Sequence, residues 1–410
     1  MGLIVQKFGG SSLATPQEVI HAAKRAIAQS KAGHRVVVVC SAQGDWTDQL
    51  IGLGAEIHPE PSPRELDMLK AVGEQMSIAL MAIAIHKLGR EAISLTGAQA
   101  GIRTDSLYGK AKIKTIDTGR LLRELGKGQI VIVAGFQGVD SEDNITTIGR
   151  GGSDPTAIAL AAALKADRCD IFTDVEGVYT ADPRIVPDAR WIERIDYDEL
   201  LELASLGAKV MHPRAVELAK RFGVSFRVRP SFNESEGTLV TDLGGEMEYV
   251  DVRAAALDTK EAKVTIRRVS DHPGVAATIF SEIARANVNV DMIVQNVSEK
   301  ARADLSFTVE KTDLSRALRV SRQLAERLGA AGVDSDEDIA KVSVVGIGMH
   351  SHAGVAEKMF RALADEKINI AMISTSEIKI SCVVEGSEGE KALRAVHRAF
   401  ALDQANPSAP

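Results

Sequence analysis

Three short stretches concentrate residues that can handle anions. The first is Lys7-Phe8-Gly9-Gly10-Ser11-Ser12. A lysine closing an apolar run, then two glycines and two serines, can turn backbone N–H groups toward phosphate oxygens. A helix N-terminus behind them adds positive potential. The same composition also makes an ordinary glycine-rich turn. The second is Gly149-Arg150-Gly151-Gly152-Ser153-Asp154. Ser153 or Asp154 can cap a helix, but glycines around Arg150 leave its backbone open to a ligand. A guanidinium there suits a bidentate contact with a carboxylate. The third is Thr173-Asp174-Val175-Glu176-Gly177-Val178-Tyr179-Thr180-Ala181-Asp182-Pro183-Arg184. A solvated loop explains its composition but not this concentration of carboxylates, hydroxyls, an aromatic and an arginine. Neither G-x-x-x-x-G-K-[ST] nor a strand-linked G-x-G-x-x-G occurs, so a nucleotide would be held in another way.

Strand-like segments precede these stretches. An apolar run at 3–8 is followed by an amphipathic helix at 16–32, with Thr15 as N-cap and proline at the first helical position. Residues 35–41 carry four consecutive valines, a strand buried on both faces. Helix 64–88, strand 130–136, helix 156–164, strand 168–173, helices 197–204 and 213–222 and strand 225–229 follow. The alternation predicts an α/β domain, a mostly parallel sheet flanked by helices. Ligands sit at the carboxyl ends of such strands. The segments after Phe8, Val39, Phe136 and Thr173 should therefore converge on one crevice.

Beyond a linker-like 242–248 the chain repeats itself. At an offset of 80, Gly274-Val275-Ala276 matches Gly354-Val355-Ala356, and Asn289, Met292 and Ile293 match Asn369, Met372 and Ile373. Each copy reads as a βαββαβ ferredoxin-like α+β module. The second copy runs out of chain before its last strand. A strand at 249–255, ahead of the first copy, is expected to complete it, so that the modules interlock. The expected organisation is 1–245 for the α/β domain, 246–262 for linker plus that strand, 263–335 and 336–402 for the modules, and a disordered tail at 403–410.

Composition sets the class. The chain has 410 residues, 45% apolar and 26% charged, with a formal net charge of −7. That is an ordinary globular balance, and the lack of a basic excess argues against nucleic acid as a partner. Three distant cysteines, Cys40, Cys169 and Cys382, fit reduced thiols better than disulfides. The start shows no secretory leader. The apolar runs at 77–85 and 130–136 are about half the roughly 20 residues a membrane span needs. A soluble cytoplasmic protein with no membrane segment is expected. His350 and His352 sit in the turn before a module's helix, where a turn role outweighs a metal role; no metal site is expected.

Taken together the stretches resemble the amino-acid kinase family, and within it the aspartate kinases. Further support comes from Cys40-Ser41-Ala42-Gln43-Gly44-Asp45-Trp46-Thr47-Asp48, Arg64-Glu65-Leu66-Asp67-Met68-Leu69 leading to Gly73-Glu74, Thr96-Gly97-Ala98-Gln99-Ala100-Gly101 and Lys209-Val210-Met211-His212-Pro213. The repeats are similar to paired ACT modules, so the resemblance spans nearly the whole chain. It implies phosphoryl transfer from MgATP to the side-chain carboxylate of L-aspartate, giving 4-phospho-L-aspartate, the first step toward lysine, threonine and methionine. Arg150 would hold the substrate α-carboxylate and Glu74 its ammonium. Thr47, Ser153, Ser41, Gly151 and Gly152 would line the same pocket. Lys7 would neutralise the transferring phosphoryl group and Asp154 would organise Lys7. Lys7, Gly9, Gly10, Ser11, Thr173, Asp174, Tyr179, Arg184 and Lys209 would contact ATP, with Mg2+ bound through the nucleotide. No general base is needed, because the attacking carboxylate is already ionised near neutral pH.

In the modules the resemblance implies feedback inhibition by lysine, threonine or both. Asp271, Gly274, Ala276, Asn289, Asp291 and Gln295 of the first copy, and Gly354, Val355, Ser374, Thr375, Ser376 and Glu377 of the second, would hold the effector. Pairing of modules implies a homo-oligomer or an α2β2 assembly, with Met247 near the start of a separately translated subunit in some relatives. Gln43, Trp46 and Pro155 depart from the residues usual at those positions, and none removes a charged catalytic group. Two alternatives stay open: an amino-acid kinase for glutamate, N-acetylglutamate or a nucleotide, and a sensor that kept the kinase fold.

Overall fold

A computed structural model describes residues 2–149, 151–206, 211–244, 252–298, 302–347, 349 and 354–404. The chain forms two compact units. The first runs from the N-terminus to Val178 and resumes at Trp191; the second takes Tyr179–Arg190 and the C-terminal part of the chain.

The first unit has strands β1 (Leu3–Phe8), β2 (Arg35–Cys40), β3 (Ala92–Leu95), β4 (Ile102–Thr104), β5 (Ile113–Ile116), β6 (Ile130–Ala134), β7 (Gln137–Val139), β8 (Ile145–Thr147), β9 (Arg168–Thr173), β10 (Arg194–Ile195), β11 (Phe226–Pro230) and β12 (Thr238–Val240). Its helices are α1 (Pro16–Lys31), α2 (Trp46–Ile57), α3 (Pro63–Lys87), α4 (Gly119–Gly126), α5 (Ser153–Leu164), α6 (Tyr197–Ser205) and α7 (Pro213–Phe222). Eight strands form one sheet in the order β10-β12-β11-β9-β1-β2-β6-β3. Its pairings are parallel except β11 with β12. The central strands are buried on both faces, which is why β2 reads as an unbroken apolar run rather than an alternation.

Helix starts follow local chemistry. Thr15 caps α1 in a reciprocal box: its hydroxyl accepts from Glu18 N–H, and the Glu18 carboxylate accepts from Thr15 N–H at 2.7 Å. Helix α3 runs 25 residues, Pro63–Lys87, one residue ahead of the expected span at each end. By length and composition alone it could cross a membrane, yet half of its apolar window is buried inside the protein. Asp67, Ala71, Glu74, Ile78, Met81 and Ile85 line its buried face at helical spacing.

A second small sheet, order β5-β4-β7-β8, was not legible in the sequence. Its strands are only three or four residues long and too short to show an alternation. It ends at Thr147, just before the Gly149-Arg150-Gly151-Gly152 stretch.

In the second unit, β13 (Ala254–Asp258) precedes β14 (Glu261–Ser270), α8 (Val275–Arg285), β15 (Ile293–Ser298), β16 (Arg302–Glu310), α9 (Leu314–Arg327) and β17 (Gly332–Asp336). Then come β18 (Ile339–Val345), α10 (Val355–Asp365), β19 (Met372–Thr375), β20 (Lys379–Glu385) and α11 (Gly389–Ala399). Two antiparallel sheets result, β15-β16-β14-β17 and β13-β18-β20-β19. Strand β13, which precedes the first copy, lies in the sheet of the second. Lys341 of β18 is 2% exposed, with its ammonium 2.5 Å from both Glu261 Oε1 and Asp291 Oδ2, groups from the first copy. The segment Tyr179–Arg190 packs here as well. Ala181 and Val186 join the apolar core of the second copy, Ala255 N–H donates to Thr180 O at 2.8 Å, and Thr180 Oγ1 lies 2.9 Å from His397 Nε2. Asp403 and Gln404 still form a turn, Gln404 N–H donating to Ala401 O at 3.0 Å; residues 405–410 of the expected tail lie outside the described residues.

Candidate functional site

In the first unit four adjacent parallel strands, β9, β1, β2 and β6, end on the same side of the sheet. Their following loops are tied to one another. Ser41 N–H donates to Phe8 O at 3.1 Å, Gly44 N–H to Gly10 O at 3.0 Å, and Gly135 N–H to Cys40 O at 2.9 Å. Gly10 fits because a Cβ there would lie 2.8 Å from Ala42 O; at Gly135 it would lie 2.6 Å from Ser153 Oγ. The glycines let the backbones close up into a crevice lined by the loops expected to meet.

Lys7 is the penultimate residue of β1, registered between Val39 and Ile171. Its ammonium is 2.7 Å from Asp154 Oδ1, and each side chain is 11% exposed. Asp154 stands in the first turn of α5, where a carboxylate also faces the positive helix end. Ser153 and Asp154 are both buried there, with Pro155 in the same turn. Ser11 and Ser12 form a single 3-10 turn rather than the start of α1. Ser12 is held through its hydroxyl to the Ser231 hydroxyl.

Glu74, on the buried face of α3, is 3% exposed. Its Oε1 accepts from Ala42 N–H at 3.0 Å, and its Oε2, fully buried, finds no hydrogen-bond partner among the described residues. Burial, opposed only in part by the Ala42 N–H, pushes its carboxyl up to about 8. A buried carboxylate with one open oxygen is ready for a cationic ligand. Ser41 and Thr47, both half-buried, lie on the β2 loop and in the first turn of α2. Gln43 is buried and donates to Leu13 O at 2.7 Å, while Trp46 is 43% exposed at the start of α2.

Thr173 and Asp174 leave the end of β9, the Thr173 hydroxyl donating to Asp174 at 3.1 Å. Tyr179 and Arg184 belong to the second unit, and the exposed Arg184 guanidinium is engaged by Asp182 at 2.5 Å. Arg150 and Lys209 lie outside the described residues, as do His350 and His352. Gly151 has φ +72° and its Cβ would lie 2.6 Å from the His212 ring. Gly152 N–H donates to Gly149 O at 2.8 Å. Phe136, at φ +66°, holds the same loop: its carbonyl accepts from Ile148 N–H at 2.8 Å. A positive φ at an aromatic residue is strained, at a cost of roughly 1–3 kcal/mol.

In the second unit Gln295 Nε2 donates to Asp271 Oδ1 at 3.3 Å. Gly274 caps α8 at φ +97°, and Ala276 and Asn289 are exposed nearby in sequence. Asp291 is engaged by Lys341. In the second copy Gly354 caps α10, Val355 is buried, Ser374 is half-buried, and Thr375, Ser376 and Glu377 are exposed.

Sequence reasoning gave no role to Asp67, Arg214 or Phe136. Asp67 falls within a stretch that carried the resemblance, but a buried carboxylate that ties down Gly109 and Thr147, far along the chain, has no sequence signature of its own.

Comparison with known proteins matches residues 2–230 to the amino acid kinase family and residues 267–323 and 342–400 to the ACT domain. An aspartokinase of Pseudomonas aeruginosa is 52% identical over 405 residues, covering 98% of each chain. A crystal structure of Escherichia coli aspartokinase III in complex with aspartate and ADP, in the R-state, superposes with a TM-score of 0.80 at 28% identity, over 97% of this chain and 99% of that one. The T-state structure with lysine and aspartate gives a TM-score of 0.77 at 28% identity, with the same coverage.

Proposed function

The chain belongs to the amino acid kinase family, as an aspartokinase with paired ACT domains, and from that premise we propose how its residues divide the work. ATP is the phosphoryl donor and the side-chain carboxylate of L-aspartate the acceptor, giving 4-phospho-L-aspartate. Mg2+ comes with ATP, on whose phosphate oxygens it is ordinarily carried; the carboxylate of Asp174, exposed just after β9, would be available to it.

The Lys7–Asp154 pair is the observation that carries this assignment. A lysine held at the end of β1, beside two glycines, places a fixed positive charge where negative charge spreads in phosphoryl transfer. Asp154 fixes its direction. Gly9, Gly10 and Ser11 present backbone to the nucleotide, and Thr173 borders it. Lys209, and Tyr179 with Arg184, rest on the resemblance alone for this role.

Glu74 takes the substrate ammonium and Arg150 the α-carboxylate, so that the β-carboxylate faces the phosphate. Ser41, Thr47, Gly151, Gly152 and Ser153 complete the pocket. The acceptor is already ionised, so positioning and charge stabilisation supply the catalysis without a general base. The open Glu74 Oε2 favours an acceptor with a free ammonium over an N-acylated one.

The ACT modules bind lysine, threonine or both, and couple them to the kinase unit as feedback inhibitors. Asp271, Gly274, Ala276, Asn289, Asp291 and Gln295, with Gly354, Val355, Ser374, Thr375, Ser376 and Glu377, form the effector surfaces. Assembly through these modules gives a homo-oligomer or an α2β2 complex, working in the cytoplasm at the head of lysine, threonine and methionine synthesis.

ADP release from ATP, measured in parallel with aspartate, glutamate and N-acetylglutamate, tests the acceptor. Aspartate should be preferred by at least tenfold in kcat/KM. Preference for either other acceptor would overturn the assignment of Glu74 and Arg150.

A further inference from the structure

We propose that Asp67 is a positioning residue for the Arg150 loop, setting aspartate affinity without touching aspartate. This rests on the reading above that Arg150 holds the substrate α-carboxylate.

Asp67 lies on α3, two turns before Glu74, and is fully buried. Its carboxylate accepts four bonds: from Thr147 N–H at 2.7 Å, Thr147 Oγ1 at 2.7 Å, Gly109 N–H at 2.8 Å and Lys70 Nζ at 3.1 Å. Two of these bonds fix Thr147, the last residue of β8 and three positions before Arg150. A third fixes Gly109, whose carbonyl would stand 3.2 Å from a Cβ on Gly149. Ala111 N–H then donates to Thr147 O at 2.9 Å, so residues 109–111 and 147–149 are joined edge to edge.

Arg214 of α7 closes the same element from another side. Its guanidinium donates to Ile148 O at 2.9 Å and Ala111 O at 2.8 Å. The stretch that launches Arg150 is therefore clamped by a carboxylate and a guanidinium, both acting on backbone. Glu74 sits on the same helix as Asp67, so α3 carries one substrate-contacting group and the anchor of the other.

Only a carboxylate fills this position. Asparagine keeps the shape but replaces one acceptor oxygen with an N–H2 group, which would face a donor. The loop would shift rather than unfold, and a displacement of about 1 Å in a positioning group can lower turnover about a hundredfold.

Steady-state kinetics of Asp67→Asn, Thr147→Val, Arg150→Ala and the double variant Asp67→Asn/Arg150→Ala test this. Asp67→Asn should raise the aspartate KM tenfold to a hundredfold and leave the ATP KM within twofold. Thr147→Val, which keeps the backbone bond, should move the aspartate KM the same way by a few-fold. In the Arg150→Ala background Asp67→Asn should change aspartate kcat/KM by less than twofold. Parallel rises in both KM values, or full additivity with Arg150→Ala, would show a general structural role and overturn the proposal. An unchanged aspartate KM in Arg150→Ala would instead refute the substrate role of that loop. If Asp67→Asn does not fold, Thr147→Val decides, and an unchanged aspartate KM there overturns the proposal.

Discussion

The Lys7 ammonium lies 2.7 Å from Asp154 Oδ1, each side chain only 11% exposed. Lys7 closes a central strand and Asp154 opens a helix, so the pair is held by two rigid elements rather than by a loop. A Cβ on Gly9 would come within 3.4 Å of the same ammonium, so the small residue leaves it room. A buried ion pair of this kind contributes little net stability, but it holds a charge in one direction.

Lys7→Ala should lower kcat by at least 10²–10³-fold, the scale of removing one preorganised charge-stabilising group. The ATP KM should move much less. It should also leave Asp154 buried and unpaired, a loss of about 3–5 kcal/mol. Single-turnover kinetics at saturating ATP and aspartate, with a denaturant titration beside it, measures both; wild-type turnover would refute the phosphate role.

Glu74 makes aspartate binding pH-dependent. Its carboxyl, raised to about 8 by burial, is protonated in the free protein through the lower part of the range. The substrate ammonium needs it ionised, so the aspartate KM should fall from pH 6 to pH 8 and level off above. Glu74→Gln should raise that KM and flatten its pH profile. The stability sign is opposite. A carboxyl raised above its unfolded value stabilises the fold below about 4.5, and this contribution is lost as pH climbs to about 8. The ligand-free Glu74→Gln protein should therefore be the more stable one at pH 8, by on the order of 3 kcal/mol. A wild-type KM independent of pH would contradict the assignment.

Lys341 joins the two modules through Glu261 and Asp291. Lys341→Ala should destabilise the second unit by about 3–5 kcal/mol, because Glu261 would stay buried without its cation. Chemical denaturation of the full chain followed by hydrogen exchange in β14 and β18 reads this. A change below about 1 kcal/mol would mean that the pair is solvated.

Effector control should depend on Asp271, which Gln295 holds at 3.3 Å. Asp271→Ala should raise the effector concentration for half inhibition at least tenfold while leaving uninhibited kcat within twofold. Titration with lysine, threonine and an equimolar mixture measures it. Unaltered inhibition would move the effector elsewhere.

The sequence made some of this legible for clear reasons. Strand β9 and helix α7 coincide with the residues expected: Cys169, Ile171 and Phe172 give β9 a short buried stretch after the alanine-rich helix, and proline and glycine bound the amphipathic α7. The ends of β1, β2, β6 and β9 carry glycines and hydroxyls because ligands and neighbouring loops approach there. Helix α2 was missed: Gly52 and Gly54 inside it weaken the helical signal. The small sheet holding Thr147 was missed for its short strands. Asp67 carried a motif position but no role, since three of its four bonds come from Gly109 and Thr147, distant in sequence. The segment Tyr179–Arg190 showed the composition of a binding loop, while its Ala181 and Val186 pack in an apolar core of the second unit; nothing in its own pattern announces that.

The most direct test is to trap the product with hydroxylamine in the presence of ATP and L-aspartate, and to identify the hydroxamate by mass spectrometry. The β-hydroxamate of aspartate should form with wild-type protein and be abolished with Lys7→Ala. No aspartyl hydroxamate from the wild-type protein, or an α-hydroxamate in its place, would contradict phosphoryl transfer to the side-chain carboxylate.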